Sequence, residues 1–199
     1  VENFPLFILS GQVIFNFFSE STTNAMGAIL GNASLIRKIY VPKYLFVISR
    51  IFSSFINLMA SFTALILVMV ATRAELHWTV ILVPIPLVLL VIFSMGIGLI
   101  LSAIAVKFRD IMHLYSVFIT ALMYLTPIIY PMSILPAWLK PIVNLNPITN
   151  ILLMFRDVML DYTIFDAKSI IIAVIEAGLA LVIGLRVFYK AQDEFILNI

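Results

Sequence analysis

Two stretches of this chain, Leu76 to Val106 and Ile111 to Leu139, contain no Asp, Glu, Lys or Arg. Each exceeds the ~20 residues that a helix needs to cross the hydrocarbon of a bilayer. A helix can do so because it satisfies its own backbone donors and acceptors. The rest of the chain is of the same kind, 63% hydrophobic and 11% charged with a mean hydropathy of +1.17. Soluble domains carry about 25% charged residues. These features predict an all-α, polytopic membrane protein forming a single transmembrane domain over 1–199, with no soluble domain. A net charge of +2 is too small to point to nucleic acid as a partner. With no cysteine, neither a disulfide frame nor a thiolate metal site is available.

Against this apolar background, Arg37, Lys38, Lys43 and Arg50 crowd into the stretch Gly31 to Arg50. A short basic loop between apolar runs marks the cytoplasmic side, since Lys and Arg resist translocation. Asn32 and Ser34 are placed to cap a short helix from about Ala33. Pro42 disfavours helical geometry at Val41 and is expected to end it. A basic helix held at the membrane by two spans is well placed to touch a soluble partner.

Taken in order, spans are expected at about 4–30, 44–72, 79–106, 111–129 and 169–188. The first carries a polar patch, Glu20 to Asn24, and reads as one long helix reaching the basic loop. In the second, Ser53, Ser54, Asn57, Ser61 and Thr63 form a polar stripe that should face protein. The turn Arg73 to Trp78 follows, with Trp78 suited to an interface. Pro84 and Pro86 sit early in the third span, where a missing amide donor costs least. Lys107, Phe108, Arg109 and Asp110 make a second short basic loop. From Tyr130 the chain turns irregular, with Pro131, Pro136, Pro141 and Pro147 excluding one straight helix. Short interfacial or re-entrant helices fit this apolar 130–168 segment, including one over Ile148 to Leu160.

With the 31–43 loop inside, the inner side collects Arg37, Lys38, Lys43, Arg50, Lys107, Arg109, Arg186 and Lys190. The outer side has Arg73, Lys140, Arg156 and Lys168. The excess of inner cations supports that orientation. Val1-Glu2-Asn3 has neither an initiator Met nor a basic signal-peptide start, and five spans beginning outside imply a further upstream helix, six spans in all.

The order of several pieces resembles the membrane subunit of ABC-2 type exporters, in the branch that exports polysaccharides and polyol phosphates. The pieces are NASLIRKIYVP from Asn32 to Pro42, Lys107 to Ile111, and Thr126-Pro127-Ile128-Ile129-Tyr130-Pro131. Leu135-Pro136, Leu145-Asn146-Pro147, Arg156 and the tail from Phe188 to Ile199 complete the series. The resemblance implies a homodimeric permease in the bacterial cytoplasmic (inner) membrane, working with two copies of an ATP-binding subunit. It would move a lipid-linked O-antigen, teichoic acid or capsule-type glycan. Leu35, Ile36, Arg37, Lys38, Ile39 and Tyr40 would form a coupling helix docking on that ATPase. Lys107, Arg109 and Asp110 would make a smaller contact. Tyr130, Pro131, Leu135, Pro136, Trp138, Asn146, Pro147 and Arg156 would belong to outer gate helices. This chain would hold no cofactor, ATP and Mg²⁺ being bound by the partner.

Aromatic faces stack on sugar rings without fixed hydrogen-bond register. Phe15, Phe18, Phe52, Phe55, Tyr115, Phe118 and Tyr124 are candidates for lining such a path, although aromatic residues equally pack membrane helices. No Gly-rich phosphate loop is present, so the chain is not expected to hydrolyse ATP. Glu20 and Glu176 lie in or near spans and keep open a different class, an ion-coupled carrier to which His113 could contribute. Solvated or paired structural carboxylates are the stronger reading of both. An ABC-2 permease for drugs, peptides or lipids is a further alternative. His77 and His113 have no second ligand at metal spacing.

Overall fold

The computed structural model describes residues 4–72 and 77–195. The start Val1-Glu2-Asn3, the turn residues Arg73 to Leu76 and the tail residues Ile196 to Ile199 lie outside the described residues. Among the described residues the regular structure is helical throughout.

Helix α1 (Phe4–Met26) is followed by two single-turn helices, α2 (Ala28–Gly31) and α3 (Ala33–Ile36). The expected long first helix is nearly realised: around Gly27, its N–H donates to the Thr23 carbonyl and its own carbonyl accepts from Gly31. Helix α4 (Tyr44–Ala71) returns across the molecule. A 3₁₀ turn (Trp78–Leu82) leads into α5 (Pro84–Lys107), so the third segment begins irregularly and becomes α-helical where Pro84 occupies the first turn. Helix α6 (Ile111–Leu125) is shorter than expected. Pro127 forces Thr126 into extended geometry (ψ 134°), and the helix stops there rather than at Ile129. Its 15 residues rise roughly 22 Å. A 3₁₀ turn (Met132–Ile134), α7 (Lys140–Asn144) and α8 (Pro147–Met159) fill the proline-rich segment, and α9 (Ala167–Ala191) closes the chain.

Among the described residues, three segments are both long and apolar enough to cross a membrane: Tyr44–Ala71, Trp78–Lys107 and Ala167–Glu194. Together they make this a multi-pass membrane protein. Helix α1, at 23 residues, has the length, but its polar patch lowers its apolarity. Helix α6 has the apolarity without the length.

Helix α5, apolar all round, is the axis of the bundle, packing on α1, α4, α8 and α9. Its closest partner is α9, which presents Ala173, Ala177, Ala180 and Gly184 along one buried stripe. Gly96 lies directly against the Ala180 backbone, and Gly184 against the Gly96 backbone. Lipid tails are as apolar as Leu, so packing rather than water exclusion joins these helices, and small residues permit it. Helix α1 packs on α4, α5 and α8, burying Phe15, Phe17 and Phe18; Phe18 stacks on Phe93 at 5.7 Å.

The polar stripe of α4 is divided. Ser54 is buried toward α1, whereas Ser53, Asn57, Ser61 and Thr63 are exposed on this chain. The exposed hydroxyls fold back on their own helix, Ser53 donating to the Ser49 carbonyl and Ser61 to that of Asn57.

Candidate functional site

The basic loop is a single helical turn with an extended, exposed continuation. Asn32 occupies the cap position of α3, but its side chain donates backward to the Ala28 carbonyl (2.7 Å) instead of capping. The helix ends at Ile36, so the coupling helix expected over Leu35 to Tyr40 is realised only in its first two residues. Turn hydrogen bonds from Lys38 and Ile39 to the Leu35 carbonyl continue the coil briefly. The terminator is therefore not Pro42, which lies well beyond. Ile36 is buried and anchors the turn, leaving Leu35, Arg37, Lys38, Ile39 and Tyr40 exposed. Two cations flanked by apolar side chains thus face outward together.

The second basic turn, Lys107 to Asp110, is exposed throughout. Both loops sit at one end of the bundle, because the C-terminal turn reaches them both: Lys43 donates to the Gln192 carbonyl, and Lys107 pairs with Glu194 at 3.8 Å. At the other end, Thr79 donates to the Val158 carbonyl (2.7 Å) and Asn150 to that of Ser169 (3.2 Å).

The expected gate residues separate into a surface group and a buried group. Trp138 is 71% exposed, Pro136 is exposed, and Pro131, Leu135 and Tyr130 are half-buried. The Tyr130 hydroxyl donates to the Tyr124 carbonyl at 2.8 Å. Asn146, Pro147 and Arg156 instead belong to α8, which is packed into the bundle over most of its surface. Asn146 is a true helix cap: its Oδ1 accepts from the Ile148 N–H (3.1 Å) while its Nδ2 donates to Thr126 Oγ1 (3.0 Å). Pro147 takes the first helical position, where its missing N–H costs nothing. Asn146→Ala is expected to lower stability by about 1–2 kcal/mol, read as a lower thermal midpoint of the detergent-solubilised protein.

Arg156, which the resemblance placed among the outer gate residues, is buried and clamps the bundle. Its guanidinium donates to the carbonyls of Pro127 (2.6 Å), Ile128 (2.8 Å) and Phe7 (2.9 Å) and to Ser10 Oγ (3.3 Å). Its Cζ lies 3.6 Å from the centre of the Phe7 ring. Burial pulls its pKa down to about 10, with Asp161 acting in the opposite direction, so it stays protonated at neutral pH. Gly11 gives it room, since a Cβ there would meet the guanidinium and the Ile128 backbone. One charged side chain thereby fastens α1, α8 and the turn after α6.

The aromatic candidates also divide. Phe15 and Phe18 are buried among α1, α5 and their neighbours and line no open path on this chain. Tyr115 is buried as well, donating from its hydroxyl to Thr22 Oγ1 (2.7 Å). The physical reason is shared: each points from its helix toward another helix of the same chain. Phe52, Phe118 and Tyr124 are exposed, and Phe55 is half-buried. Phe52 and Phe55 border an apolar groove of about 270 Å³ between α4 and α5, with Ile48 and Met95.

Glu20 is held between α1 and α4, accepting from Asn57 Nδ2 (2.6 Å) and Ser54 Oγ (3.3 Å). Asn24 extends this network through Ser54. Glu176 lies on α9 beside Asn150 and not beside Glu20. Among the described residues, no three His, Asp or Glu side chains gather as a metal ion would require. The two carboxylates lie on different helices, each beside its own asparagine.

Residues 3–160 match the family described as ABC-2 type transporter. The O-antigen export system permease protein RfbA of Klebsiella pneumoniae is 27% identical over 98% of this chain and 75% of its own length. The protein of the same name in Myxococcus xanthus is 24% identical over 98% and 76%. The polysialic acid transport protein KpsM of Escherichia coli is likewise 24% identical over 98% and 76%.

Proposed function

Because the chain belongs to the ABC-2 type transporter family, we propose that it is the membrane permease of an ATP-driven exporter of a lipid-linked polysaccharide. The similarity that supports this runs over nearly the whole chain, to relatives named for O-antigen export and polysialic acid transport. The exposed Leu35 to Tyr40 turn is the observation that carries the mechanism. A separate ATP-binding subunit, in two copies, would dock there and on Lys107, Arg109 and Asp110, supplying the ATP and Mg²⁺ chemistry. The membrane would be the bacterial cytoplasmic membrane and the cargo a glycan of the O-antigen, capsule or teichoic acid type.

A second copy of this chain would complete the conduit. The support is α6, where Tyr115 alone is buried and Phe118 and Tyr124 face outward. A helix with so little cover from its own chain presents a surface for a partner. Surface aromatics there and at Phe52 suit a path along which sugar rings slide.

Reversing both charges, Arg37→Glu with Lys38→Glu, tests the coupling role. The double variant should insert normally and lose surface glycan by about tenfold or more, because like charges at a docking interface cost several kcal/mol. Cell-surface glycan and co-purification of the ATP-binding subunit are the two readouts. Undiminished export by a stably inserted double variant would sink the assignment.

A further inference from the structure

We propose that the C-terminal turn is a clasp that positions both basic loops against the end of α9. This rests on the permease reading above and adds to it two residues outside the docking set, Lys43 and Phe195. The turn, Gln192–Glu194, follows α9 directly. Its Gln192 carbonyl accepts from Lys43 Nζ, and the same ammonium lies 5.6 Å from the centre of the Phe195 ring. Phe195 is only 1% exposed and packs edge-on against Phe188 of α9, with ring centres 5.3 Å apart. Lys107, the last residue of α5, pairs with Glu194.

Three helix ends are joined in this way. Lys43 ends the loop bearing Arg37 to Tyr40 and immediately precedes α4. Lys107 ends α5 and opens the second loop. Phe195 fixes the turn to α9. The Lys107–Glu194 pair is 62% exposed on both sides, and such pairs contribute little alone. The buried Phe195 ring and the lysine it faces carry the attachment. A push on the first loop then moves the starts and ends of α4, α5 and α9 together. Without the clasp, the loop yields while the helices stay in place. Lys43 and Phe195 are positioning residues, acting through the loops they hold.

Two measurements on the full-length protein test this, with Phe195→Ala and the milder Phe195→Leu, which keeps burial against Phe188 but offers no aromatic face. The first, in detergent, follows trypsin cleavage after Arg37 and Lys38 by fragment mass and needs no ATPase. Cleavage should quicken severalfold in the alanine variant and less in the leucine variant. Unchanged cleavage in both overturns the clasp. The second follows export per ATP hydrolysed with the ATP-binding subunit present. It should fall by about fivefold or more while the subunit still co-purifies and hydrolyses ATP. Faster cleavage with unchanged export per ATP overturns the coupling role. If no ATP-binding subunit accompanies even the wild-type protein, the permease reading itself falls, and the coupling role with it. Should Phe195→Ala not accumulate, the leucine variant decides both measurements.

Discussion

Replacing Arg156 with alanine is expected to remove most of the folded protein. The carbonyls of Pro127 and Ile128 lie in a non-helical turn and take their hydrogen bonds from this guanidinium. Leaving a buried acceptor without a donor costs about 1–3 kcal/mol. Two such acceptors, with the vacated space over Phe7, bring the expected loss to about 3–6 kcal/mol. That is a large share of the about 5–15 kcal/mol that holds a typical protein together. Arg156→Lys keeps the charge, but a single ammonium cannot reproduce a planar fan of donors toward three carbonyls. Its loss should be intermediate. Thermal unfolding in detergent, monitored by size-exclusion recovery after heating, checks both. An alanine variant as heat-stable as the wild type would show that the clamp holds nothing.

Gly96→Leu should be at least as damaging, for a different reason. The side chain would have to enter the space of the Ala180 and Leu181 backbone. Backbone cannot swing aside as a flexible side-chain tip can, so α5 and α9 must separate along their whole contact. Overpacking usually costs about 1–3 kcal/mol, and a backbone-to-backbone contact belongs at or above the top of that range. Gly184→Leu should behave alike, since it faces the Gly96 backbone. Gly178 provides the control on the same helix: a Cβ there has nothing within 4 Å. Gly178→Ala should be neutral or raise stability by up to about 1 kcal/mol through helix propensity. Equal recoveries of the Gly96 and Gly178 variants would contradict the packing.

The sequence announced the helices more clearly than their ends. Apolar runs and turn residues located α4, α5 and α9 because apolar length and prolines are local properties. Pro127 and its effect on Thr126 were equally local, yet the apolar residues beyond hid the end of α6. Arg156 stood out as a charge in an apolar helix. Its partners were two main-chain carbonyls of a turn, a carbonyl of α1 and a serine, none of which has a sequence signature. The aromatic residues show the same limit. Phe18 and Phe118 look alike in the chain, and only tertiary packing decides that one is interior and the other open. Lys43 read as a topology signal. Nothing near it in sequence indicates that it reaches across 149 positions to Gln192.

The Arg156 clamp also sets an order of events during synthesis. Phe7 and Arg156 are separated by 149 positions, so most of the chain has left the ribosome before the two can meet. Domains acquire structure from the N-terminus as they are made. Helix α1 and the turn after α6 are therefore synthesised before the cation of α8 that joins them. A truncated product ending before Arg156 would lack the fastening of its first helix. The arginine thus arrives late in synthesis, with only α9 and the turn after it still to follow among the described elements.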